Sequence, residues 1–251
     1  MPKNSWLVQR ASKLPEVVAS FWVIKILTTG MGEAASDYLV RAFGPVIAVV
    51  GGLLIFVIAL GAHFLVKSYS KWLYWLAVAM VSVFGTMAAD ILHIGLGVPY
   101  LVSTIFFALL LLIIFVVWKR VEKSFAMSSI TSVRSELFYW MTVLTTFALG
   151  TAAGDMTART LNLGYLNSGL LFGLCFALPL VVYRVTGSSI SFWLAYIATR
   201  PFGASFADWI GADFTHGGLG FGFGNIAAVL TVAMVITIAL VKSPAGDHAW
   251  S

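Results

Sequence analysis

Four aspartates recur at one spacing. Asp37, Asp90, Asp155 and Asp208 each follow a tryptophan by 15 residues and a glycine by five, in the pattern [FY]-W-x9-G-x4-D. The four copies begin at Phe21-Trp22, Tyr74-Trp75, Tyr139-Trp140 and Phe192-Trp193, with glycines at Gly32, Gly85, Gly150 and Gly203. The position four residues before each aspartate shares its helical face and holds Glu33, Thr86, Thr151 and Ala204. Carboxylate and hydroxyl oxygens of this kind suit hard cations such as Mn²⁺, Mg²⁺ and Ca²⁺. The expected site is therefore metal-binding through Asp37, Asp90, Asp155, Asp208 and Glu33. Thr86 and Thr151 stand beside them, and Thr28, Thr29, Ser82, Thr146 and Thr199 lie further along the same helices. Met31, Met87 and Met156 share no common slot and read as packing.

Basic residues offer a structural alternative. Lys25 and Arg200 lie eight residues before Glu33 and Asp208, while Arg41 and Arg159 follow Asp37 and Asp155 by four. Each is a candidate ion-pair partner or a group that tunes the acids. His93 follows Asp90 by three, a spacing that permits shared ligation or an ordinary place near a helix end. His216 and Asp213 belong to the loop GADFTHGGLGFGFGN, as an outer access site or as plain loop polarity; His63 and His248 receive no role.

The elements that carry these residues are apolar. The chain has 251 residues, 60% hydrophobic and 10% charged. Stretches of about 20 apolar residues are long enough to cross a bilayer as helices. Eight spans are expected, at 17–41, 45–66, 72–94, 97–118, 137–160, 164–184, 190–211 and 220–241. The start of the chain does not read as a cleaved signal peptide. Cys175, the single cysteine, excludes an intrachain disulfide and a thiolate cage. No basic aromatic-rich segment suggests a nucleic acid partner. No nucleophile–base pair or phosphate loop suggests an enzyme, and no tightly bound cofactor is expected.

Asp37 to Asp90 and Asp155 to Asp208 are both 53 residues, and Asp37 to Asp155 and Asp90 to Asp208 are both 118. A two-helix unit duplicated, and then duplicated again, gives repeats at approximately 17–68, 70–122, 135–186 and 188–242 of a single transmembrane domain. The fold class expected is an all-α membrane protein with eight transmembrane helices from four parallel two-helix repeats. Its pseudo-two-fold symmetry, approaching four-fold, runs along the membrane normal. Arg41 and Arg159 in alternate repeats lower four-fold toward two-fold. With each acid about 22 Å beyond its tryptophan along a helix, the carboxylates form a ring facing the interior, since lipid would penalise them. Crowded like charges require cations, protons or basic partners. The motif glycines suit close helix approach, and the aromatic pairs suit interfacial anchoring.

Eleven of the 15 basic residues fall on the N-terminal side of the expected spans: Lys3, Arg10, Lys13, Lys67, Lys71, Lys119, Arg120, Lys123, Arg134, Arg184 and Lys242. Only Arg41 and Arg159 fall on the other side, which puts both termini in the cytoplasm.

The repeated motif, with PEVVASFWVIKILTTGMGEAASD and LGTAAGD, resembles a bacterial family of small polytopic membrane proteins labelled uncharacterised membrane-anchored proteins. The resemblance spans essentially the full chain and implies an inner-membrane location. The residues themselves point to a divalent cation transporter, with manganese favoured and the ion as its partner alongside the lipid bilayer; a homo-oligomer is compatible. The alternatives are a proton- or sodium-coupled transporter of a small organic solute, and a non-transporting scaffold whose acids hold helices together.

Overall fold

The computed structural model describes residues 12–241. Of the basic residues sorted above, Lys3, Arg10 and Lys242 lie outside the described residues, as does His248. Among the described residues there are eight α-helices: α1 (Ala19–Phe43), α2 (Pro45–Leu65), α3 (Lys71–Asp90), α4 (Tyr100–Glu122), α5 (Val133–Asp155), α6 (Gly164–Thr186), α7 (Ser189–Gly211) and α8 (Phe223–Leu240). Local chemistry sets the boundaries. Gly44 takes φ +82°, and Pro45 starts α2 at a position where its missing N–H is not needed. Ser132 and Ser135 cap the start of α5 reciprocally. Gly187, in the left-handed region, closes α6.

Among the described residues, six segments are long and apolar enough to cross a membrane: Pro45–Leu65, Lys71–His93, Tyr100–Glu122, Val133–Thr160, Gly164–Thr186 and Phe223–Leu240. The other two helices, α1 and α7, carry the buried charges Lys25, Glu33, Arg200 and Asp208. Their polar content follows from their place. The motif helices close a ring, α1 on α3, α3 on α5, α5 on α7 and α7 on α1. Around it, α2 packs on α3, α4 on α5, α6 on α7 and α8 on α1. A helix enclosed by protein does not need an apolar surface, whereas the outer helices expose theirs widely, as at Val46, Leu112, Leu178 and Val229.

The motif glycines close this ring. A Cβ at Gly32 would fall on Ser82 of α3, and one at Gly85 would crowd Phe147 of α5. A Cβ at Gly150 would overlap the stem of Arg200 in α7, and one at Gly203 would overlap Thr29 of α1. Each glycine thus admits the next helix of the ring, the close approach expected of small residues.

The aromatic pairs differ from expectation. Phe21, Trp22, Tyr74, Trp75, Tyr139, Trp140, Phe192 and Trp193 are all buried. They interlock, with Phe21 5.8 Å from Trp75, Trp22 5.6 Å from Phe192, and Tyr139 6.1 Å from Trp193 between ring centroids. They fill the end of the bundle instead of anchoring its rim. Closing a ring of four helices creates an interior that large flat side chains fill, and such burial outweighs an interfacial position.

Candidate functional site

Arg200 sits at the centre of the ring, fully buried. Its Nη2 lies 2.5 Å from Oε2 of Glu33 and donates to Oγ1 of Thr151 at 2.9 Å and to Oγ1 of Thr86. Its Nη1 donates to the carbonyl of Thr29 at 3.2 Å. The slot four residues before each aspartate therefore does converge, but on a guanidinium. Ala204, the fourth member of that slot, leaves room on the helix that supplies the arginine. The eight-residue spacing pointed from Arg200 toward Asp208; across the ring, Glu33 takes it.

The aspartates occupy the next turn. Asp37 pairs with Arg41 at 3.5 Å and Asp155 with Arg159 at 3.0 Å, both four residues apart on a helix surface. Asp90 and Asp208 make no ion pair and no side-chain hydrogen bond among the described residues. Glu33, Asp37 and Asp155 act electrostatically on both Asp90 and Asp208. The five acids thus form one electrostatic cluster. Among the described residues, no three His, Cys, Asp or Glu side chains are grouped closely enough to hold a metal ion. The chain provides a concentration of negative charge without a preformed cage.

Other expected contributors go elsewhere. Thr28, Thr146 and Thr199 donate to carbonyls of their own helices, at 2.6, 2.7 and 2.6 Å, and Ser82 donates to the Thr28 carbonyl at 3.0 Å. Their hydroxyls seal helix backbones instead of forming a second tier of oxygen ligands. His93 turns away from Asp90. Its ring lies against Tyr100 at 4.2 Å, with Nδ1 3.1 Å from the Val98 carbonyl and Ser103 Oγ 3.3 Å from Nε2. The reason is local: Ile91–Gly95 forms a π-helical turn directly after Asp90, which shifts the face on which His93 emerges. A matching π turn, Met156–Thr160, follows Asp155.

Lys25 is 1% exposed and pairs with no acid among the described residues. Its Nζ stands 4.1 Å from the ring centres of both Phe147 and Tyr196, a cation–π enclosure. The Phe147 ring also lies 5.4 Å from the guanidinium carbon of Arg200.

A cavity of about 450 Å³ opens beyond the acids. Asp37, Arg41, Arg159, Tyr165, Asp213 and His216 are among its lining residues. It joins the loop polarity of Asp213 and His216 to Asp37 and to the arginines of both ion pairs, Arg41 and Arg159.

Sequence reasoning missed a second polar centre. Glu136 of α5 is buried, with Oε2 3.1 Å from Nζ of Lys13 and Oε1 3.2 Å from Nε2 of His63. Lys13 read as one more cytoplasmic basic residue and His63 as unassigned. The available signal was Glu136 itself, an acid just inside the helix that carries Tyr139-Trp140.

Neither a curated protein nor a solved structure matches the chain. One family does, four times in tandem, over residues 20–69, 73–124, 138–189 and 191–244. Each match contains one complete aromatic–glycine–aspartate motif, and together they cover most of the chain. The chain belongs to the family described as Repeat of Unknown Function (DUF347).

Proposed function

We propose that this protein is a cation transporter whose cargo is a divalent metal ion, manganese being the best single choice, taken up by the aspartate cluster. The observation that carries the reading is a charge imbalance. Glu33 and the four motif aspartates supply five carboxylates; Arg41, Arg159 and Arg200 supply three guanidinium groups paired with three of them. Three carboxylates are thereby paired, which leaves Asp90 and Asp208 without an ion-pair partner among the described residues. Buried uncompensated charge is costly, and one divalent cation, or two protons, would balance it. Carboxylate oxygen suits Mn²⁺, Mg²⁺ or Ca²⁺ over softer ions. The cargo would enter through the 450 Å³ cavity beside Asp37 and Arg159.

The architecture in this reading is eight membrane crossings in four parallel two-helix repeats about an axis along the membrane normal. Convergence of the four aromatic pairs at one end and the four acids at the other supports it. The enclosed α1 and α7 are counted as crossings because their neighbours shield their charges. In this reading both termini are cytoplasmic, as the positive-inside bias favours, and the membrane is the bacterial inner membrane that the family resemblance implies. Arg41 and Arg159 make alternate repeats equivalent, hence two halves that exchange access.

A second reading draws on the cavity. With two arginines and Tyr165 on its wall it has the size and donors to hold a small organic anion, so that the acids would serve coupling alone. Flux assays in proteoliposomes separate the two. Divalent cation flux that is lost in Asp90→Asn and Asp208→Asn supports the first. Cation-independent uptake of an organic anion, lost in Arg159→Gln, supports the second.

A further inference from the structure

At the end of the bundle opposite the acid cluster, three titratable side chains are buried together without a role in cargo binding. His63 is fully buried on α2, Glu136 is 5% exposed on α5, and Lys13 is 4% exposed in the segment before α1. Glu136 divides its carboxylate between two partners. Oε2 faces Lys13 Nζ at 3.1 Å, and Oε1 faces His63 Nε2 at 3.2 Å and Lys13 Nζ at 3.4 Å. Lys13 Nζ also donates to the carbonyl of Phe64, near the C-terminal end of α2, at 3.1 Å. Through this one ammonium the segment before α1 is fastened to α2 and α5 at once. Leu14 beside it is buried, and Pro15 and Glu16 both line two pockets.

Among the described residues, the surroundings of His63 supply no second acid. From α3 comes Tyr74, whose ring centre lies 6.0 Å away; from α5 comes Trp140 at 5.2 Å, besides Glu136. Phe64 is its own neighbour at 6.4 Å, and Tyr69 packs on Tyr74 at 6.2 Å. α1 also packs on α2, but its Lys25 is held by Phe147 and Tyr196. With Lys13 charged, a neutral His63 leaves one cation against one anion. Adding a proton to His63 leaves two cations against one carboxylate in a buried site. Both cations compete for Oε1 of Glu136, and only Lys13 sits on a segment outside the helices that is able to withdraw.

We propose that His63 and Glu136 form a proton-binding site whose occupancy releases Lys13 and so unfastens the segment before α1 from the bundle end. The ligand is a proton, taken from solvent onto the imidazole, whose positive charge is then balanced by Oε1 of Glu136, 3.2 Å from Nε2. No bond other than N–H is made, and no electron moves. The site is distinct from the aspartate cluster and stands whether or not those acids carry a metal.

The test is made on the purified full chain in detergent, so it reads no transport. A nitroxide is attached at Ser12→Cys in a Cys175→Ser background, and its spectrum is followed on acidification from about pH 8 to about pH 5.5. The expected result is a shift from an immobilised to a mobile line shape on acidification. In His63→Gln the label stays immobilised throughout, and in Lys13→Met it is mobile at every pH. A pH-independent spectrum in the parent overturns the proposal, as does a His63→Gln variant that shifts like the parent. If His63→Gln fails to fold, the parent and Lys13→Met still decide. Immobility of the label in folded Lys13→Met rules out Lys13 as the fastening.

Discussion

Nη2 of Arg200 stands 2.5 Å from Oε2 of Glu33, joining the fourth motif helix to the first across 167 residues of sequence. Both side chains are buried, and the same guanidinium reaches Thr86 on the second motif helix and Thr151 on the third. One side chain therefore ties all four helices of the ring. Breaking such a pair leaves a charge uncompensated in a dry interior, at a cost of about 3–5 kcal/mol. Arg200→Met is expected to lower stability by that order and Glu33→Gln by less, because a glutamine still accepts. Arg200→Lys should not rescue, since an ammonium cannot span a fork of four acceptors. Unfolding measured by steric trapping or by thermal aggregation in detergent ranks these variants. Equal stability of Arg200→Met and the parent would remove Arg200 from this role.

The ring glycines predict a steric pattern. Gly150→Ala places a methyl on the Arg200 stem and Gly32→Ala places one on Ser82, whereas Gly51 and Gly61 have nothing within 4 Å of the added atom. Overpacking costs about 1–3 kcal/mol. Gly32→Ala and Gly150→Ala should lower the unfolding midpoint, while Gly51→Ala and Gly61→Ala leave it unchanged or raised through helix propensity. Midpoints from fluorescence-detected thermal unfolding check this.

Lys25 predicts the opposite sign. Its ammonium is buried against two rings without a carboxylate partner. Methionine fills similar volume and needs no counter-charge. Lys25→Met is expected to fold with stability equal to or above that of the parent, because a desolvated charge without an acid is a net cost. A fall of more than about 2 kcal/mol, the upper range of a cation–π contact, would mean that Lys25 has an ionic role in the native state.

Much of the organisation is legible in the sequence. The periodic aspartates and the slot holding Glu33, Thr86 and Thr151 located the centre, because helical periodicity fixes which residues share a face. The helices follow from apolar length, as in α2, α4 and α8. The partner at the centre was not legible: Arg200 points at Glu33 on a helix distant in sequence, and spacing within one helix says nothing about the neighbour across a ring. His93 could not be placed because a π turn after Asp90 changes the register that spacing assumes. The burial of Trp22, Trp75, Trp140 and Trp193 depended on ring closure, a property of the assembled helices. Lys13, His63 and Glu136 come from three separate segments, and only packing brings them together.

The acids are not equivalent in this account. Asp37 and Asp155 each have an arginine, and Asp90 and Asp208 have none. Asp90→Asn and Asp208→Asn should each reduce cation binding by about tenfold or more, equal to about 1.4 kcal/mol. Arg41→Gln and Arg159→Gln add net negative charge and should tighten binding. Calorimetric titration of Mn²⁺ into purified protein reads both directions. Weaker binding in the arginine variants would contradict the charge imbalance argument.

The most direct measurement is Mn²⁺ flux into proteoliposomes containing the parent protein, Asp90→Asn or Asp208→Asn, with Mg²⁺ and Ca²⁺ as competing ions. Saturable Mn²⁺ flux is expected in the parent, with its loss in both variants while each remains folded. Folded parent protein that moves none of the three ions, or variants that carry Mn²⁺ at the parental rate, would contradict cation transport through the aspartate cluster.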